Sequence, residues 1–594
     1  MHYSLAAVIV FLASLSAAFD ASAEALASPE DESAVAMLAA GKDAKPTREM
    51  LCGKAFRFSW KTERGSSHIG TATLREDGTI AGIRSPNETF WLVDGEGRLI
   101  FKHRDGRVST IFTRAERRGG KWFFSGPFRF REGVQHLLEE TPAPSNGDRI
   151  DRLIRAYSRQ QIVRLNPGEA CRFVSGHGLT KTIRLVSVEE HRDRVIDLMR
   201  RADVRIEIDG HLLELVCAPY VMPTEVAGLR VQADTTSGWI GMTKRVQLSL
   251  WDARDPIVDT TRFGFPLRHY RLFSQGTQAY NEPVHLGRGD GDPAGQKFYH
   301  NYGFDLAGYE NGEEIVSVAE GKVVSFRPNR ETCHGVTVQD LQGLPWEYGH
   351  MASLASDIAV GTRITRGQRI GTLGKTGGSG NFSHLQLGRE GNCYVNLYPW
   401  LVTAYQAEHP KAVLAVARPH HAVRTGEKAI LDGSHSLAFG GRIVQWRWVF
   451  HDGQTVDQAK AEKVFDTPGA YVATLWVKDD RGAADVDFCQ IKVFSKPVAE
   501  TAMPHIFMTY TPTEDVQPDQ PLRFRFWLQG SGAGPIRVDF DDGTRVLDYR
   551  SYAELTHSFR TPGIHTVTAQ CQAAGMPIMQ KLKIVVQSTA AASK

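Results

Sequence analysis

Three short segments of this chain carry residue types able to move protons or hold a cation. They are His300-Asn301-Tyr302-Gly303-Phe304-Asp305, Tyr348-Gly349-His350-Met351 and Ser383-His384-Leu385-Gln386-Leu387. Together they offer one carboxylate (Asp305), two imidazoles (His350 and His384) and two amides (Asn301 and Gln386). Imidazole nitrogen suits zinc, whereas carboxylate and carbonyl oxygens suit magnesium, calcium or manganese. A catalytic zinc requires three protein ligands and an open position for water. The metal then lowers that water's pKa towards about 7 and so creates a nucleophile.

The order of these segments, with 316–324 and 364–377 between them, resembles the lysostaphin-type zinc metalloendopeptidases. This LytM-like family (Peptidase family M23-like, with a duplicated hybrid motif) cuts peptide cross-bridges in bacterial cell walls. The resemblance implies an antiparallel β fold in which the motifs converge on a groove. Its first motif reads His-x-Gly-x-Asp, with both His and Asp on zinc, and its last reads His-x-His, whose second His is the third ligand. Aligning Gly303 and Asp305 places Asn301 at the first ligand position and Gln386 at the third. The metal set implied here is therefore Asp305 with two degenerate positions, Asn301 and Gln386. His350 and His384 occupy the positions that act as catalytic, proton-transfer or transition-state-stabilising groups.

That set has no nitrogen donor, and even the loss of a supporting partner typically weakens metal affinity or activity about 10–100-fold. No cofactor is expected at high affinity, and Zn2+ only if the cleft is active. His300 neighbours Asn301, but adjacent strand residues point to opposite faces, so its recruitment requires a bulge. Asn301 and Gln386 also have a plain structural reading, filling a vacated site with amide hydrogen bonds. A lone histidine such as His334 is ordinarily a hydrogen-bonded surface or core residue.

The elements that must position these residues read as β throughout. Within 316–326 the pattern suggests two strands turning at Glu320-Gly321, and 335–341 another strand. Gly374 to Gly380 is a Gly-rich loop without the Gly-Lys-[Ser/Thr] ending of a phosphate loop; its glycines suit a tight cleft wall or a bound peptide. The expected architecture is mainly β and multidomain. It comprises a signal peptide (1–23), a linker (24–46), a small antiparallel β domain (47–145), an accessory β domain (146–276) and the peptidase-like domain (277–406). Two immunoglobulin-like sandwiches follow (410–496 and 500–587).

In the first β domain, Asp77-Gly78, Asp94-Gly95 and Asp105-Gly106 read as hairpin turns, with Trp60, Trp91 and Trp122 in or near the core. In the accessory domain, 212–216 and 245–251 read as strands and 193–201 as a short helix or loop. The last third repeats itself. Phe465-Asp466-Thr467-Pro468-Gly469 recurs as Phe559-Arg560-Thr561-Pro562-Gly563, and His451-Asp452-Gly453 as Asp541-Asp542-Gly543. The first copy resembles a polycystic-kidney-disease (PKD) domain and the second a divergent relative. The resemblance implies spacing, adhesion or polymer contact, and the Asp-Gly pairs read as turn formers rather than calcium ligands.

At 594 residues several cores are expected. Seventy basic against 67 acidic residues, without a Lys/Arg block, exclude a phosphate-binding stripe and argue for no nucleic acid. An apolar run from Leu5 to Leu15, ending in Ala21-Ser22-Ala23, fits a secretory signal. It is too short to span a bilayer, and no later stretch reaches that length. The expected location is exported: periplasmic, cell-envelope or extracellular. The seven cysteines show no Cys-x-x-Cys spacing; Cys171–Cys217 and Cys333–Cys393 are pairs able to bridge within a domain.

The residues leave three functions standing. One is an exported wall protein whose cleft binds peptidoglycan, a wall peptide or another wall hydrolase without cutting. A second is an active zinc endopeptidase with a non-standard ligand set, and the third an extracellular adhesion or scaffold protein.

Overall fold

The computed structural model describes residues 45–587 apart from 64, 76–77, 82–86, 104–105, 142–154, 197, 240–243, 274–276, 287–296, 302, 328–333, 377–381, 387–388, 391–392, 497–502, 530–533, 545–546, 551 and 574. At 65–70, 81, 285–286, 297–299, 327, 382–386, 389–390, 393–394 and 547 only the backbone is described. The expected signal peptide and most of the linker lie outside the described residues. So do Asp77, Asp105, Cys333 and the tip of the Gly-rich loop, together with the side chain of Cys393. No helix among the described residues is long and apolar enough to cross a membrane.

The chain is mainly β and forms two compact units. The first, up to residue 150 with 240–243 and 389–394, has a six-stranded sheet ordered Ile80–Ala81, Gly65–Leu74, Ala55–Thr62, Gln135–Thr141, Lys121–Pro127, Arg114–Arg118. Alternation sends Trp122 and Phe124 inward to join Phe56, Phe58, Trp91, Phe101 and Phe112 in one core. Trp91 and Trp122 are buried as expected, whereas Trp60 is only half-buried. The hairpin at Asp94 forms, because its carboxylate accepts the backbone N–H groups of Glu96 (3.0 Å) and Arg98 (2.8 Å). The left-handed residue is Gly97 (φ 79°), not Gly95.

The second unit holds 151–239, 244–388 and 395–594. It begins with two four-stranded sheets. Within one of them, strands Ala170–Val174, Thr180–Arg192, Met199–Ile208 and His211–Cys217 lie in sequence order. The expected helix or loop at 193–201 is a turn running straight into a strand, and Arg201 already pairs with His191. The expected Cys171–Cys217 bridge is absent, and both thiols are free. The two residues sit on the outer strands, three strand spacings or about 14 Å apart across the sheet, and the register, which runs Cys171, Ile183, Ile208, His211, sets Cys217 further along its strand, beyond a disulfide's reach.

Next come the sheets that carry the three motifs. One is ordered Phe304–Ala307, Phe382–Gln386, Pro345–Gly349, Gly335–Asp340, Gly321–Arg327, Arg363–Ile364. The other is ordered Leu267–Arg268, Glu314–Val316, Arg369–Thr372, Ser353–Leu354. The expected hairpin at Glu320-Gly321 is therefore corrected: Glu314–Val316 and Gly321–Arg327 join different sheets. Gly321 has no side chain to hold it off its neighbour, and a Cβ there would lie 2.2 Å from the Gln339 carbonyl oxygen. A helix unforeseen in the sequence, Tyr398–Glu408, starts with Pro399 in its first turn. It packs Tyr398 on Phe304 (ring centroids 6.1 Å), and Trp400 Nε1 donates to Gln160 Oε1 (3.0 Å).

The two C-terminal copies use their repeated residues identically. Phe465 and Phe559 are both buried. Six residues on, Tyr471 Oη donates to the Thr467 carbonyl (2.9 Å), and His565 Nε2 donates to the Thr561 carbonyl (2.8 Å). Asp452 pairs with Lys463 and Asp542 with His557, in each case two residues before the phenylalanine. These carboxylates are thus committed within their turns. The strand Gly469–Asp479 also joins Met576–Val586 through a parallel bridge, Ala470 to Ile578.

Glu313 lies between this region and the peptidase-like sheets, buried, with Thr513 Oγ1 donating to Oε2 (3.4 Å). Burial pushes its carboxyl up to about 8. A carboxyl raised on folding contributes stability that is complete below its unfolded pKa and lost as pH rises through the folded one. The melting temperature is accordingly expected to fall between pH 5 and pH 8. Glu313→Gln is expected to flatten that slope in calorimetry; an unchanged slope rules out this group as its source.

Candidate functional site

The strand Phe382–Gln386 lies between two others, and its register sets the site. His384 pairs with Asp305 on one side and with Gly349 on the other, while Gln386 pairs with Glu347. Three segments up to 80 residues apart are thereby brought into one row of backbone positions. Sites 305, 349 and 384 are brought together, and the side chains of His384 and Gln386 lie outside the described residues.

His350 follows Gly349 with φ 55°, a left-handed conformation uncommon for a residue with a Cβ. Such strain costs of order 1–3 kcal/mol and persists where surroundings enforce it. The enforcement is visible in Thr376. Its carbonyl accepts His350 Nδ1–H (2.7 Å), and its hydroxyl donates to the Met351 carbonyl (3.0 Å). The same hydroxyl accepts the backbone N–H of His334 (2.9 Å), and Met351 N–H returns to the His334 carbonyl (3.0 Å). With Nδ1 protonated, a neutral His350 ring carries its lone pair at Nε2. Behind it, the buried Tyr348 hydroxyl accepts the Val318 N–H (2.8 Å), and burial pushes that phenol up to about 12. Gly374 closes the wall, since a Cβ there would meet the Ala352 nitrogen at 2.2 Å.

Asp305 is buried, and its backbone exchanges both hydrogen bonds with Gln278 (2.9 and 3.0 Å). Asn301 is also buried. Its Nδ2 donates to the carbonyls of Gln278 (3.0 Å) and Gly303 (3.1 Å), so both amide hydrogens are spent on backbone. The segment behind it is anchored by Glu282, which takes the Tyr220 hydroxyl and the Ala279 N–H (3.1 Å). Burial raises the Glu282 carboxyl to about 7. His300 turns elsewhere: its Nε2 donates to the Met199 carbonyl (3.0 Å). No bulge brings it to the position of Asn301.

Residues 299–396 match Peptidase family M23. Residues 409–493 match the PKD domain. Over 92 residues, 15% of this chain, the sequence is 33% identical to Collagenase ColA of Clostridium perfringens, of which the match spans 8%. Among solved structures, lysostaphin from Staphylococcus simulans is 16% identical, covering 35% of this chain and 90% of that one, with a TM-score of 0.16. A zinc-containing peptidase from Vibrio cholerae is 10% identical, covering 49% and 81%, with a TM-score of 0.19.

The aligned residues differ in chemistry from the nitrogen donors that suit zinc, since positions 301 and 386 are amides. Asn301 Nδ2 is held on two carbonyls, so the acceptor it has to offer is the amide oxygen Oδ1, a donor atom suited to magnesium or calcium rather than the imidazole nitrogen that suits zinc. Among the described residues no three His, Cys, Asp or Glu side chains form a metal-holding group. Sequence reasoning missed Thr376, Gln278 and Met199 as partners, because a bond to a main-chain carbonyl leaves no mark in side-chain type. Asn301→Ala is expected to destabilise the protein by about 1–3 kcal/mol in urea unfolding, since it takes a donor from the buried Gly303 carbonyl and removes a second bond to Gln278, whose carbonyl keeps only the Asp305 N–H. A change near zero removes the clamp.

Proposed function

We infer that this chain is exported to the bacterial cell envelope, and that its peptidase-like cleft binds peptidoglycan peptides without hydrolysing them. The observation that carries this reading is the fate of Asn301. At the position where the family motif has a zinc-binding histidine, this chain has an amide whose Nδ2 is bound to the carbonyls of Gln278 and Gly303, leaving an oxygen where the motif supplies an imidazole nitrogen. The neighbouring imidazole, His300, is committed to Met199. What the segment retains is suited to holding a peptide: a row of paired strands, a carboxylate at Asp305 and a fixed imidazole at His350. In this reading the PKD domain and the sandwich after it act as spacers or wall contacts, and another wall hydrolase is the alternative occupant.

Metal analysis of the purified full chain, combined with sedimentation on insoluble peptidoglycan and zymography, tests it. The expected result is co-sedimentation that weakens in Asp305→Ala and His384→Ala, zinc far below one per chain, and no clearing of murein. Asn301→His with Gln386→His together is expected to raise zinc content, whereas neither alone does. Stoichiometric zinc with cleavage that His384→Ala abolishes would establish an active endopeptidase instead. Co-sedimentation indifferent to both alanine variants would leave a spacer.

A further inference from the structure

The six-stranded sheet of the first unit has a second face, away from the aromatic core, and it is hollowed by a cavity of about 420 Å³. Alternation puts it there: while Phe58, Trp122, Phe124 and Leu138 point inward, their neighbours point out. One row across the cavity runs Arg57, Glu139, Phe123, Glu116 in register. Beside Glu139 on its own strand, Leu137 lines the same hollow, half-buried like Phe123.

The charges in this row are unequally committed. Glu116 takes both Arg114 and Arg118, the latter through Nε at 2.8 Å, and the Arg118 guanidinium rests 5.5 Å above the Phe123 ring. Arg57 and Glu139 are direct cross-strand neighbours, yet neither forms an ion pair or side-chain hydrogen bond among the described residues. The cavity therefore offers one uncommitted cation and one uncommitted anion beside an apolar floor. Its volume falls within the roughly 300–1,000 Å³ of small-molecule sites.

That pattern selects its ligand by exclusion. A phosphate or other simple anion would meet Glu139 and Glu116 as well as the arginines. A long acyl chain would find only a short apolar floor, Phe123 and Leu137 beside Phe124 and Leu138, ringed by charged side chains. A zwitterion with a short apolar body satisfies all three features. We propose that this cavity binds short zwitterionic peptides, with Arg57 taking the carboxylate, Glu139 the ammonium group, and Phe123 with Leu137 an apolar side chain. The lining residues all belong to the first unit and none to the three motif segments, so the proposal stands whether or not the peptidase-like cleft cuts.

The test is calorimetric titration of the full chain with the free tripeptide Ala-Leu-Ala, its N-acetylated form and its C-terminal amide. Saturable one-site binding is expected for the free peptide, at least tenfold weaker for either blocked form. Arg57→Gln is expected to weaken the free peptide tenfold and the C-terminal amide no further. Glu139→Gln should do the same with respect to the acetylated form. Both residues are exposed, so an unchanged melting temperature separates lost binding from lost fold. Absence of saturable binding below 10 mM overturns the proposal, as does equal affinity in Arg57→Gln, or an equal loss in the control variant Arg205→Gln, which lies outside the cavity lining.

Discussion

The register of one strand governs the peptidase-like segment. Phe382–Gln386 is flanked on both sides, so its pairing with Phe304–Ala307 and with Pro345–Gly349 must be satisfied at once. A slip of one residue would set Leu385 opposite Asp305 and transpose every position across the sheet. The pairing holds because both neighbours are themselves fixed. Phe304 is packed on the helix at Tyr398, and Tyr348 is buried with its hydroxyl on Val318.

Just ahead of that sheet, two adjacent residues meet different fates. Residue 301 reaches the Gln278 carbonyl, and residue 300 reaches the Met199 carbonyl. A buried amide that gives both hydrogens to carbonyls is a stable arrangement, because an unpaired buried polar group is costly. The Asn301 amide is thus absorbed into the hydrogen-bond network of the fold. On the other rim Thr376 does comparable work, joining His334, His350 and Met351 through one residue.

The C-terminal repeats show the same economy at larger scale. Tyr471 and His565 differ in chemistry, yet each closes its turn on the carbonyl of the equivalent threonine. What the copies preserve is the geometry of a ring reaching back over a Pro-Gly turn. The two copies then share a sheet through Ala470 and Ile578, which joins their strands edge to edge.

The sequence by itself determined the β class, the order of the three motifs and the repeat. These are local signals: turn chemistry, alternation and motif spacing act over a few residues. Tertiary structure decided the rest. It placed Glu314–Val316 and Gly321–Arg327 in different sheets, set Cys171 and Cys217 on opposite edges, and gave His300 to Met199. Each of these outcomes depends on pairings between residues far apart in the chain, whose cost and reward are settled by the whole packed unit. A main-chain carbonyl has the same chemistry in every residue, so no reading of side-chain types alone could have named it as the partner of Asn301 or His350.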